Sequence, residues 1–211
     1  MEQKTQQRRK ATVPSSTSCN FESLRKRGYG KIFQSIIQTM ITVLKESLWK
    51  QFGASIDMLK NAIALWPEEY WNTEKKFFYT AYHCLLFLDY YLTHSPKNFS
   101  SPLAFSISAD GIPADAIDDI IPYRIYSKKE LLNYLQASRE KCHQLIAGLT
   151  EEKLKERWIE EKEWGSRNYS VLEILLYNMR HVQHHAAQLN LLLRNRINNA
   201  PGWVSRAADE L

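Results

Sequence analysis

Residues 170–196 read SVLEILLYNMRHVQHHAAQLNLLLRNR, and the fold turns on this stretch. On a helix turning about 100° per residue, with His181 at the origin, Leu192, Leu189, Val182 and Leu175 fall between about 20° and 120° and form one apolar face. Ser170 with Glu173 three residues on reads as a capping box that opens the helix. His181 and His185 lie about 40° apart on the core-facing side, one turn from each other. His184 lies about 60° the other way, with Tyr177 and Gln188 between it and the stripe. An i, i+4 histidine pair is a standard way for one helix to offer two imidazoles to one metal ion.

Three further long helices precede it. Leu44, Leu48, Phe52, Ile56, Leu59, Ile63 and Trp66 recur at spacings of three and four, predicting a helix over about 40–65 that Pro67 ends. A second runs from Thr73 or Glu74 to Thr93, with Thr73 as N-cap and Pro96 as stop. Its centre, Phe77 to Leu92, is apolar or aromatic nearly all round, which predicts the most buried helix. The third opens at the capping box Ser127–Glu130, carries Leu131, Leu135, Ser138, Cys142, Leu145 and Leu149 on its inner face, and ends at Gly148. A short charged helix over 151–157 follows. Residues 95–126 hold Pro96, Pro102, Gly111, Pro113 and Pro122 and read as a long, functional loop. Neither an internal repeat nor a strand-like alternation stands out. The expectation is an all-α four-helix bundle with a long connection between its second and third helices.

Two ligands do not make a good site, and the second helix supplies a third candidate. His83 sits in Tyr79-Thr80-Ala81-Tyr82-His83-Cys84-Leu85-Leu86, with Asp89 the other ionisable group in that buried centre, about 120° away around the helix. An imidazole is costly to bury without a partner, and a metal would be one. If the second and fourth helices pack together, His83, His181 and His185 converge. Three neutral nitrogen ligands with open positions describe a catalytic-type site, and Zn, Ni, Fe and Mn all fit the ligand type. Each histidine alone has a plainer reading as a hydrogen-bonded core residue. His94 and His143 read as surface or capping residues. Cys84 reads as a small buried residue about 100° round from His83. Tyr79 and Tyr90 could line a pocket or simply pack. Asp110, Asp115, Asp118 and Asp119 could offer a carboxylate to the ion or act as a base, a solvated acidic loop being the plainer account.

Composition bounds the rest. The chain has 211 residues, 44% hydrophobic and 24% charged, an ordinary globular balance. Seven Gly and seven Pro are too few for a many-turned sandwich or barrel. No run approaches the roughly 18 uninterrupted apolar residues of a membrane span. Three scattered cysteines (Cys19, Cys84, Cys142) form neither a disulfide framework nor a CxxC zinc site, so a reducing, cytoplasmic setting is expected. The net charge of +5 is concentrated: residues 1–31 hold eight Lys/Arg against Glu2 and Glu22, and the remainder is close to neutral. Nucleic acid binding by the folded body is therefore not expected. Residues 1–35 read as a basic, disordered arm: a solvated tail, a targeting or anion-binding segment, or an upstream extension, with Met40 a sensible alternative start.

The helical pattern with a histidine in the middle of helix two and H-x3-H in helix four resembles the DinB/YfiT-like superfamily of metal-dependent bundles. The resemblance runs from about Leu44 to Trp203. Leu48-Trp49-Lys50-Gln51-Phe52 resembles the family's first helix. Ser170-Val171-Leu172-Glu173, leading into His181 to Leu189, resembles its signature, as does Leu193-Arg194 followed by Pro201-Gly202-Trp203. Where the family often has Arg-Gly after the last histidine, this chain has Ala186-Ala187. Carried over residue by residue, the family's metal ligands fall on His83, His181 and His185. The resemblance implies a divalent metal ion and a small-molecule substrate, with relatives acting as transferases dependent on a low-molecular-weight thiol or as hydrolases and isomerases. It also implies a homodimer, with residues 36–211 as the domain. An ion so held can acidify a water or thiol. The alternative is a non-catalytic metal-binding or structural dimeric bundle.

Overall fold

A computed structural model describes residues 30–108, 110–161 and 166–211. The expectation of a disordered basic arm falls almost wholly on residues outside these. The chain is mostly helical. The elements in order are α1 (Gly30–Leu65), a 3-10 turn (Glu68–Tyr70), α2 (Lys75–Tyr91), a 3-10 turn (Pro96–Asn98), β1 (Phe105–Ile107), β2 (Ile120–Pro122), α3 (Lys128–Ala147), α4 (Glu151–Lys155), β3 (Arg157–Glu160), β4 (Arg167–Ser170) and α5 (Val171–Ile197). The chain divides into two compact units, Met1–Thr39 and Met40–Leu211. No helix among the described residues is long and apolar enough to cross a membrane.

Helix α1 begins some ten residues before the predicted start. No Gly or Pro interrupts residues 31–52, so a helix once nucleated propagates cheaply through them. Within residues 30–39, Ile32, Phe33 and Ile36 recur at helical spacing but are exposed. From Leu48 onward the predicted stripe is buried, with Phe52, Ile56, Leu59 and Ile63 fully enclosed.

Helix α2 is the most enclosed, as its sequence requires: Phe77, Phe78, Ala81, Tyr82, Cys84, Leu85, Leu86 and Leu88 are all buried. Thr73 does not cap it; the N-cap is Glu74, without a side-chain bond, and the Thr73 hydroxyl donates instead to the Tyr70 carbonyl. Both faces of the predicted capping box at α3 form: Ser127 Oγ accepts from the Glu130 amide, and the Glu130 carboxylate accepts from the Ser127 amide at 2.8 Å. At α5 Ser170 Oγ accepts from the Glu173 amide at 3.2 Å, and the helix ends at Asn198 in the left-handed region, φ 52°.

Two small antiparallel sheets correct the reading of 95–126 as structureless and of the chain as strandless. Strand β1 pairs with β2, Ser106 opposite Ile121, and β3 with β4, Trp158 opposite Tyr169. The first pair is three residues long, too short for periodicity to register. In β3 the inward positions are Trp158 and Glu160, while Ile159 faces out, so the alternation is real but not one of hydrophobicity. Glu160 is tolerated inside because Tyr90 Oη donates to it and Arg167 lies 3.3 Å away.

The last residues fold back onto α1. The Ala207 amide donates to the Lys50 carbonyl, Trp49 Nε1 to the Asp209 carbonyl, and Arg139 bridges Asp57 and Asp209. Gly53 makes room for this. A Cβ there would meet Ala207 Cβ at 2.7 Å and the Trp49 ring at 3.3 Å. Gly53→Ala gains about 1 kcal/mol in helix propensity, but overpacking costs about 1–3 kcal/mol. The expected result is a net loss of up to about 2 kcal/mol with the tail displaced, seen as a lower urea midpoint and faster proteolysis near Arg206. An unchanged or raised midpoint would mean the tail is not held against this helix.

Candidate metal centre

Helices α2 and α5 pack side by side, and the Asn178 amide donates to the Leu88 carbonyl at 2.9 Å deep between them. That packing puts the middle of α2 against the histidine-bearing middle of α5. His83 comes from α2, and His181 and His185 from α5, and their ligand-capable nitrogens all lie within 4.8 Å of one another. His181 Nε2 is 3.1 Å from His185 Nε2 and 3.3 Å from His83 Nε2. Phe87 lies 4.8 Å from the His83 ring and 5.7 Å from His181, and Tyr91 stands edge-on to His181. His184 is exposed and turned away, as the wheel predicts.

The outer nitrogens fix which inner ones are bare. His185 Nδ1 faces the Gln188 side-chain carbonyl at 2.7 Å, so it carries the proton and Nε2 does not. His83 Nδ1 lies 2.8 Å from Asp118 Oδ2, an electrostatic contact without the alignment of a straight hydrogen bond, and the carboxylate again favours the proton on Nδ1. His181 Nδ1 is buried with no partner. One hydrogen on His181 Nε2 could serve only one of its two neighbours, and a hydrogen on Nδ1 would serve neither. At least one inward lone pair therefore stays unmatched, a costly state for buried nitrogens. A single cation accepts all three. Tetrahedral nitrogen ligands at about 2.0–2.1 Å from a zinc-sized ion stand about 3.3 Å apart, close to the two separations above. The donor set thus fits a divalent ion.

His181 and His185 are also held neutral, the form a metal requires. Burial, then the neighbouring His185, His83 and His184, push His181 down to about 3 from 6.5. Burial and His83 push His185 down to about 4. Burial alone would raise the Asp118 carboxyl, but the contact with His83 outweighs it and holds it below the ordinary value.

The remaining candidates lie elsewhere. Cys84 is fully buried, and burial pushes its thiol up, so it is no nucleophile. Tyr90 donates to Glu160 and Tyr79 packs edge-on against Phe78. His94 lies 3.6 Å from Glu156, and His143 packs edge-on against Trp49. Of the four acids in the long connection, Asp110, Asp115 and Asp119 are exposed. Asp118 supports a histidine from behind instead of joining the cluster. Gln188 carried a readable signal, standing three residues after His185; the pairing of Asp118 with His83 had none.

The result is a helical domain with three histidines gathered from two helices. Residues 51–189 match the family model of the DinB superfamily, and the chain belongs to that superfamily. No curated protein and no solved structure matches it.

In metal-free protein the two depressed imidazoles make stability depend on pH. Below 6.5 the unfolded chain takes up protons that folded His181 and His185 refuse until about 3 and 4. Stability is therefore full above 6.5, falls as pH drops towards 4, and levels off below 3. Denaturant titrations across that range should show the slope, and His181→Gln should flatten it. An equal slope in the variant would place the proton uptake elsewhere.

Proposed function

We propose that this chain is a metal-dependent enzyme of the DinB type, in which His83, His181 and His185 hold one divalent ion inside a four-helix bundle formed by α1, α2, α3 and α5. The convergence of three Nε2 atoms whose lone pairs cannot satisfy one another is the observation that carries this reading. Membership of the superfamily supports it. The substrate is a small molecule, and the reaction is a thiol-dependent transfer or a hydrolysis.

When bound, the ion supplies Lewis acidity at neutral pH. The chain's own residues do the rest. Gln188 and Asp118 hold the outer ring nitrogens and so keep the inner ones aimed inward. Phe87 and Tyr91 wall the cluster with aromatic surface, which limits water and strengthens any charge interaction within. An open cleft of about 370 Å³, lined by Tyr177, Arg180, His181 and His184, gives a substrate a way to His181.

Elemental analysis of protein purified without chelator or a nickel column tests the ligand set. One equivalent of divalent metal is expected, lost in His83→Ala, His181→Ala and His185→Ala and kept in His184→Ala. Equal loss for His184→Ala and His185→Ala would contradict it. Removing Asp118 leaves the three ligands in place but frees the His83 ring. Asp118→Ala should weaken metal affinity about 10–100-fold without abolishing binding, measured by competition with a chromophoric chelator. Wild-type affinity in that variant would reduce Asp118 to a loop residue.

A further inference from the structure

Tyr177, Arg180, His181 and His184 fall within about 100° of one another around α5 and line one side of the open cleft. The cleft lining contains no carboxylate. Arg180 is exposed, and among the described residues its guanidinium has no ion-pair or hydrogen-bond partner. The other arginines of α5 are engaged: Arg194 donates to the Asn190 carbonyl at 3.4 Å, while Arg196 pairs with Glu74 at 3.2 Å and covers the Tyr70 ring. Tyr177 is fixed in place, edge-on to Tyr91 at 5.1 Å and stacked with Tyr169 at 5.9 Å. Glu173, the nearest acid on the same helix, lies about two turns away towards its N-terminus. The cleft thus offers a fixed aromatic wall, an uncommitted planar cation and one of the three clustered histidines within one small volume.

We infer that this cleft takes a small substrate bearing a carboxylate. Arg180 clamps the carboxylate through two parallel N–H donors, the body lies against Tyr177, and the reacting end reaches the histidine cluster. A neutral analogue leaves the guanidinium solvated and loses the clamp. The inference rests on the metal-centre reading, since the reacting end is taken to meet the ion.

Cobalt(II) serves as the probe metal and its visible absorption as the readout, with 3-mercaptopropionate and its neutral amide as ligands on full-length protein. Cobalt stoichiometry is read first. The carboxylate should bind about tenfold more tightly than the amide, the size of one charge-assisted contact, and added salt should narrow the gap. Arg180→Ala should bring the two within roughly twofold of each other, the scatter expected of an exposed, screened site, with cobalt stoichiometry and amide affinity unchanged. Arg180→Lys should keep an intermediate preference, having the charge without the fork. A preference absent in the wild type, or kept in Arg180→Ala, overturns the carboxylate clamp while leaving the metal centre standing. Failure of the wild type to bind cobalt overturns both.

Discussion

The packing of α2 against α5 is the constraint on which the rest depends. It brings three imidazoles from two helices to within hydrogen-bonding distance, where burial disfavours charge on His181 and His185. Each outer nitrogen partner, Gln188 for His185 and Asp118 for His83, sharpens the problem by turning a bare nitrogen inward. The Asn178–Leu88 bond and the enclosed apolar residues around it fix the register of the two helices. Slipping α2 by one residue would swing His83 by about 100° and break up the cluster.

Other buried polar groups in the molecule are handled differently. Asp89, in the centre of α2, accepts from Tyr134 Oη at 2.8 Å and pairs with Lys141 at 2.5 Å, and Lys141 also reaches Thr93. Glu160 accepts from Tyr90 and pairs with Arg167. In both cases the protein supplies a donor for the acid it buries, and the result is structural. The histidine cluster departs from that pattern: its nitrogens meet one another where a donor is needed. This contrast sets the cluster apart as the candidate site and the two buried acids as part of the framework.

Much of this was legible in the sequence because it was written in periodicity. The 3.6-residue repeat located the long helices, the wheel separated His181 and His185 from His184, and the buried centre of α2 singled out His83. The capping box at Ser127 was read correctly for the same reason, since a local bond needs only local spacing. Elements without a local signature were missed. Ile32, Phe33 and Ile36 stand at helical spacing, but the run is short and adjoins a polar, basic stretch, so the first turns of α1 went unread. Strand β3 buries a glutamate and exposes an isoleucine, so its alternation carries the wrong polarity. Thr73 had the right type for a cap but is drawn to the Tyr70 carbonyl. The contact of Asp118 with His83 spans thirty-five positions of a chain that doubles back through a hairpin, and no spacing rule reaches that far.

That last contact has an evolutionary side. Asp118 belongs to the irregular segment joining β1 and β2, held by the Ser108–Asp119 backbone bond and by the Asp118 carboxylate on the Ile120 amide. Surface connections accept insertions and deletions far more readily than helix cores do. Drift in this connection could therefore retune the basicity and aim of the His83 ring while all three histidines stay invariant, giving descendants with one inherited cluster and divergent appetites.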